Sequence, residues 1–268
     1  MFGFFAQHFY SIQMKELLTR TLSGVALVAL IVVCVLSSFW SLMALVLVIV
    51  VVGTYEMSRL QHVDDALHLI LGELMVVGFF LAYLFFPALS PLLIMAPFLL
   101  ALFSKTCDFK SIASFTFGSM AFLGLPCAMM ARIHQTFGPE MVLLVFVLLW
   151  ANDVFAYLTG KLLGKHKLFP RISPGKTIEG SIGGLVFTVI AMVVFAHYAD
   201  WLPIATGIGM AAIAVVFGTL GDLCESMLKR QAGVKDSGKL IPGHGGILDR
   251  FDSVMFSVPF VFVFLLLL

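Results

Sequence analysis

Long apolar runs broken at a few polar points dominate this chain. Runs at 22–37, 40–57, 67–87, 90–103, 112–132, 140–162, 181–198, 202–228 and 249–268 stand out. A helix needs about 20 apolar residues to cross a hydrocarbon core of about 30 Å, fewer when it is short or re-entrant. The pattern therefore predicts about nine transmembrane helices. Two divisions, Ser37–Ser41 and Pro87–Pro91, fall at turn-forming residues and not at charged loops. The run at 202–228 is too long to lie wholly in a membrane, so its last turns should reach water.

The polar positions sort by side. With the N-terminus in the cytoplasm, the inner segments collect every Lys and Arg except Arg132, including Lys15, Arg20, Arg59, Lys105 and Lys110. Basic residues favour the cytoplasmic side, so the expectation is N-terminus in and C-terminus out. Composition agrees with a membrane protein: of 268 residues 61% are hydrophobic and 12% charged, against about 25% charged in ordinary soluble domains. A soluble fold of this size lacks the polar shell to cover that much apolar surface. The fold class expected is an all-α polytopic membrane protein with one integral domain, 1–268. It comprises an amphipathic leader at 1–21 without a cleavable-signal pattern, five apolar helices over 22–132, and four function-bearing helices over 140–268. Cys34, Cys107, Cys127 and Cys224 are scattered, with no metal-ligand spacing, and read as reduced structural thiols. Glu73, alone within its span, is a functional candidate by its position, although a carboxylate near a helix end can also be satisfied locally.

Two loops carry the chemistry. In 222–252, Asp222, Glu225, Ser226 and Lys229 recur at i, i+3, i+4 and i+7, one face of a helix. A solvated helix end explains Lys229 and Arg230 but not Asp222, which follows an uncharged run. Lys235, Asp236 and Lys239 lead into Pro242-Gly243-His244-Gly245-Gly246. Those glycines permit positive φ and close approach to a ligand. Free N–H groups of the following helix, expected to begin near Ile247, should make an anion site. A tight turn is the other reading of the glycines. Asp249 and Asp252 flank Arg250; they suit either the helix dipole or a hard cation such as magnesium, which takes one or two carboxylates plus phosphate oxygens. In 152–180, Asn152 and Asp153 interrupt an apolar run, Lys161, Lys165 and Lys167 suit a positive-inside loop, and Ser173-Pro-Gly-Lys176-Thr-Ile-Glu179-Gly180 reads as a phosphate-binding turn.

The stretch Ser226-Met-Leu-Lys229-Arg230 through Lys235-Asp236, Pro242-Gly-His244-Gly-Gly and Asp249-Arg250-Phe-Asp252 resembles the signature of bacterial phosphatidate cytidylyltransferases, the CDP-diacylglycerol synthases. Ser173–Gly180 is similar to a second family element, with Gly175 where a lysine is usual and Ile178 where an aromatic is usual. The resemblance implies transfer of the cytidylyl group of CTP to phosphatidate, giving CDP-diacylglycerol and pyrophosphate, in a Mg²⁺-dependent homodimer of the bacterial inner membrane that meets no nucleic acid. Site roles follow from it together with the chemistry of the residues. Asp222 and Asp249 would hold the metal, with Asp252 as a further carboxylate and Asp153 nearby. Lys229, Arg230, Lys235 and Arg250 would bind phosphates. His244 and the Gly243–Gly246 backbone would cradle the polyphosphate, assisted by Lys176, while Ser226, Asp236 and Glu179 orient these groups. Asp249→Asn should then stop turnover in a folded protein. Two other readings account for part of the pattern: an anion transporter with an interrupted helix, and a CTP-dependent enzyme acting on another lipid acceptor.

Overall fold

The computed structural model describes residues 2–103 and 109–268, with side chains described from residue 18 onward apart from a few between 100 and 111. Helices α1 (Phe2–Ser37), α2 (Phe39–Leu60), α3 (Ala66–Phe85) and α4 (Ser90–Phe103) come first. They are followed by α5 (Phe109–Ser119), α6 (Leu125–Phe137), α7 (Pro139–Leu163), α8 (Ile178–Tyr198), α9 (Ile204–Gln231) and α10 (Leu248–Leu266). Every apolar run of the sequence becomes helix. Among the described residues seven helices are long and apolar enough to cross a membrane, with a shorter apolar helix beginning at Pro87. The leader is no separate element, because α1 runs unbroken through it. Lys105 and Cys107 lie outside the described residues.

Local chemistry sets the boundaries. Ser38 caps α2: its hydroxyl accepts the Ser41 N–H at 3.1 Å, and the Ser41 hydroxyl accepts the Ser38 N–H at 3.0 Å, a reciprocal capping pair. A 3₁₀ turn at Pro87–Leu89 separates α3 from α4. Between α5 and α6 the helix widens into one π turn, Met120–Gly124, where the Leu125 N–H reaches back to the Met120 carbonyl. Pro126 has no N–H to donate, which favours that local rearrangement. The run therefore continues as one rod past the expected end at 132.

Arg132, the basic residue expected on the outer side, donates to the Leu84 carbonyl at 2.8 Å, capping the C-terminal end of α3. His134 meets the Val35 carbonyl at 3.0 Å. These contacts mark one end of the helices; the charged loops occupy the other.

Between α7 and α8 the chain folds into an antiparallel hairpin, β1 (Lys167–Phe169) with β2 (Ser173–Thr177). Its turn is at Pro170–Ile172, where the Ile172 N–H bonds the Phe169 carbonyl at 3.1 Å. Ser173–Thr177 is therefore strand and not the turn that Pro174 and Gly175 suggested. Thr177 ends the strand by capping α8, accepting the Gly180 N–H at 3.1 Å.

Helix α9 is the axis of the functional half, packed between α8 and α10. A methyl group at Gly221 would lie 2.7 Å from the Asp252 carbonyl of α10, so only glycine permits this approach. The apolar and functional halves share one core, in which Val46, Leu123 and Met255 are all buried.

Candidate active site

The first cluster forms where α9 meets the start of α10. Lys229, nearly buried, lies 2.5 Å from Glu225 and 2.6 Å from Asp249. Asp249 is equally enclosed and accepts three further hydrogen bonds: 2.8 Å from the Ser237 N–H, 3.0 Å from its hydroxyl and 2.8 Å from the Gly246 N–H. Gly245, at φ +86, brings the loop round, and a side chain there would strike the Asp249 carboxylate. Lys229 pairs with two protein carboxylates while also lining the cavity beside them. Asp249 spends its lone pairs on one cation and three donors, and it organises the loop.

A residue of the apolar half completes this cluster. Glu56, near the end of α2 and 4% exposed, accepts the Ile247 N–H at 2.9 Å and the Leu248 N–H at 2.9 Å, and it shares with Asp249 the single proton of the Ser237 hydroxyl, 2.8 Å away. The N–H groups expected to face a ligand at the start of α10 thus donate to the protein's own carboxylates. Glu56 gave no signal in the sequence beyond being an acidic residue inside an apolar run near a helix end. Hydrogen bonds to charged groups contribute about 1.5–3 kcal/mol each, and orphaned buried donors are costly. Glu56→Ala is expected to lower stability by about 2–3 kcal/mol. A thermal melt in detergent reads this, and an unchanged melting temperature would refute it. Glu56→Gln, which keeps one acceptor oxygen, should lose less.

Lys229 and Asp249 of this cluster also line a cavity of about 370 Å³, together with Asp153, Asp222, Asp252, Arg250 and His244. Lys176, from β2, reaches Asp222 at 2.5 Å, and the Ser226 hydroxyl donates to Asp222 at 3.2 Å. Asp252 accepts only its neighbour's N–H, from Ser253 at 2.6 Å, among the described residues. Four carboxylates around one cavity repel each other, and Lys229 and Arg250 on the same wall, with Lys176 against Asp222, offset part of that charge. The other wall is hydrocarbon: Leu27, Val28 and Ile31 of α1 face Phe146, Leu149 and Trp150 of α7. A second cavity of about 430 Å³ shares Asp153 and Ser253 with the first and is lined by Asn152, Tyr157, Lys176 and Thr219. The buried Asn152 Oδ1 has no hydrogen-bond partner among the described residues.

A third cavity, about 380 Å³, shares His244 and Arg250 with the first. Lys235, Asp236, Gly243 and Gly245 line it together with Arg20 and Lys239. The remaining candidates lie elsewhere. Arg230 donates to the Ile172 carbonyl at 3.3 Å and the Val234 carbonyl at 3.0 Å, which ties the hairpin to the end of α9. Glu179 accepts from the Lys165 N–H at 3.1 Å and pairs with the His166 ring at 2.6 Å, so it anchors the hairpin. Gly246 is packed against Ser237 and Glu56. Glu73 sits on α3, outside these clusters, with one carboxylate oxygen buried and unpartnered among the described residues.

A family model described as "Cytidylyltransferase family" matches residues 18–268. The chain belongs to that family. The matched span takes in α1 from Leu18 onward together with every cluster described above. Phosphatidate cytidylyltransferase of Staphylococcus aureus strain COL is 44% identical over 155 residues. Its namesake in Staphylococcus haemolyticus strain JCSC1435 is 46% identical over 155 residues, and that of Staphylococcus epidermidis strain RP62A 42% over 159. Each of these matches covers 58% of this cytidylyltransferase-family chain and 59% of the relative.

Proposed function

We propose that this protein transfers the cytidylyl group of CTP to phosphatidate, giving CDP-diacylglycerol and pyrophosphate, at the cytoplasmic face of a bacterial inner membrane. The observation that carries the reading is a single cavity whose floor is carboxylate and cation and whose wall is hydrocarbon. A soluble nucleotide and an amphipathic lipid can meet there. The headgroup reaches the polar floor while the acyl chains stay along α1 and α7.

The chemistry requires little covalent help from the protein. A phosphatidate oxygen, already anionic, attacks the α-phosphorus of CTP; the new P–O bond forms as the bond to the β-phosphate bridging oxygen breaks, and its electron pair leaves with pyrophosphate. No proton has to move. The barrier lies in bringing polyanions together and in the charge on the leaving group, so positioning and electrostatics supply the catalysis. Lys176 bridges β2 and Asp222 at the cavity floor, and Arg250 lines both the carboxylate and the cationic cavities. We place the nucleoside in the neighbouring cavity, lined by Tyr157, Lys176 and Thr219.

Magnesium fits the carboxylates of Asp222 and Asp252, with Asp153 and Asp249 on the same cavity wall. No three His, Cys, Asp or Glu side chains form a ready-made metal cluster among the described residues. That suits magnesium, which is held by one or two carboxylates and completes its shell with phosphate oxygens and water. When bound it would neutralise phosphate charge.

Purified protein in detergent is expected to release pyrophosphate only when CTP, phosphatidate and Mg²⁺ are all present. Release that persists in excess chelator would remove the metal from this reading. Absence of release with phosphatidate but release with another lipid acceptor would reassign the substrate.

A further inference from the structure

Helix α1 enters the polar region as an apolar span, yet its residues 20–24 meet the Pro242–Gly245 loop. The stem of Arg20 lies across Gly243: a Cβ on that glycine, at φ +75, would come within 2.7 Å of the arginine Cγ. One helical turn further on, the Ser23 hydroxyl is 3.0 Å from the Pro242 carbonyl and 2.8 Å from His244 Nδ1. Gly24 offers a flat face to the same ring, since a methyl there would sit 3.4 Å from Cε1 and 3.5 Å from Nε2. With Nδ1 held by Ser23, the imidazole has one free nitrogen, Nε2. His244 lines both the carboxylate and the cationic cavity.

Around the cationic cavity stand Arg20, Lys235, Lys239 and Arg250, against one carboxylate, Asp236. None of the four cations makes a salt bridge among the described residues. Lysine and arginine that merely face lipid headgroups would not need a shared concave wall of about 380 Å³ joined to a carboxylate cavity. Such a concentration of positive charge suits a di- or triphosphate chain, and an arginine fork can meet two phosphate oxygens at once.

We infer that α1 is a working wall of the polyphosphate site, with Arg20 a ligand of the β- and γ-phosphates and of released pyrophosphate, and Ser23 the positioning residue for His244. This rests on the cytidylyl-transfer reading for the identity of the nucleotide. Arg20 touches the leaving group, whereas Ser23 acts through His244.

The test uses the full chain in detergent with Mg²⁺. Titration calorimetry measures pyrophosphate and CTP binding, and steady-state assays measure KM for CTP and for phosphatidate. Arg20→Ala is expected to weaken pyrophosphate and CTP binding fivefold or more while leaving the phosphatidate KM within twofold. Arg59→Ala, which removes an exposed charge paired with Asp64, should change neither. A smaller effect on pyrophosphate, or a shift in the phosphatidate KM instead, overturns the role of Arg20 by making it a general or lipid-facing charge. Ser23→Ala should raise the CTP KM severalfold at an unchanged melting temperature, and Ser23→Thr should restore it. In a His244→Ala background Ser23→Ala should add nothing; an additive loss overturns the positioning role. Wild-type protein that binds pyrophosphate but does not convert phosphatidate would fail the proposed function and leave this site standing. Wild-type protein that binds neither pyrophosphate nor CTP would overturn the site itself.

Discussion

Lys229→Met is expected to destabilise the folded protein by about 3–5 kcal/mol, because it strips Glu225 and Asp249 of their shared cation. Both carboxylates are almost fully enclosed, at 1% and 3% side-chain exposure, so each relies on the ammonium for its neutralisation. At about 2–4 °C per kcal/mol for a domain of this size, the melting temperature in detergent should fall by roughly 6–20 °C. Activity should be lost with the fold. A variant that melts like the wild type but needs far more CTP would return Lys229 to the phosphate-binding role that its place in the signature suggests. Glu225→Gln should cost much less, since Asp249 still neutralises the lysine.

Asp222→Asn should have the opposite profile. Its partner Lys176 is 29% exposed and Asp222 itself 32%, and partly exposed pairs contribute only about 0–1 kcal/mol. The melting temperature should barely move. Turnover, measured by pyrophosphate release at saturating CTP and Mg²⁺, should fall by about 10²–10³-fold, the scale set by removing one electrostatic contact from a reacting centre. Near-normal turnover would show that the metal does not use Asp222. Asp249→Asn, by contrast, should no longer be expected to yield a folded but silent protein. An amide turns an NH₂ toward donors that now bond a carboxylate, so the loop at 237–246 should loosen and stability should fall together with activity.

Hydrophobic patterning made the helices legible because each span must satisfy its backbone within itself, leaving length and polarity as the main variables. The breaks at Ser38 and Pro87 were readable for the same reason: capping and missing N–H groups are local. The π turn at Met120–Gly124 was not, since a proline signals a disturbance without fixing how the helix absorbs it. Likewise Ser173–Thr177 carries turn-forming residues, yet it pairs as a strand because the reversal is made earlier, at Pro170–Ile172.

In the site, residue types pointed to the right neighbourhood but not to the right partners. The i, i+3, i+4, i+7 face of α9 was visible, and it does carry Asp222, Ser226 and Lys229. Which partner each carboxylate meets depends on how α2, α10 and β2 approach α9 and the loop, which no spacing along one helix encodes. Glu56 shows this most clearly. It caps a helix whose first residue lies 192 positions later, and nothing near it in the chain announces that task. Arg20 and Lys239 were missed for a different reason. A positive-inside count treats every loop cation alike, whereas a shared concavity with Lys235 and Arg250 distinguishes these two.

The three hydrogen bonds of Glu56 have a consequence for how the protein can be dissected. Chemistry-bearing residues crowd into the second half, which invites the view that the first five helices are a detachable anchor. But Glu56 holds the loop and the first turn of α10 from the far side, and Ser23 holds His244. A fragment cut between α6 and α7 would retain the signature and lose the carboxylate that closes it. Expressed alone, such a fragment is expected to melt below the full chain, because these bonds from the early helices would be missing.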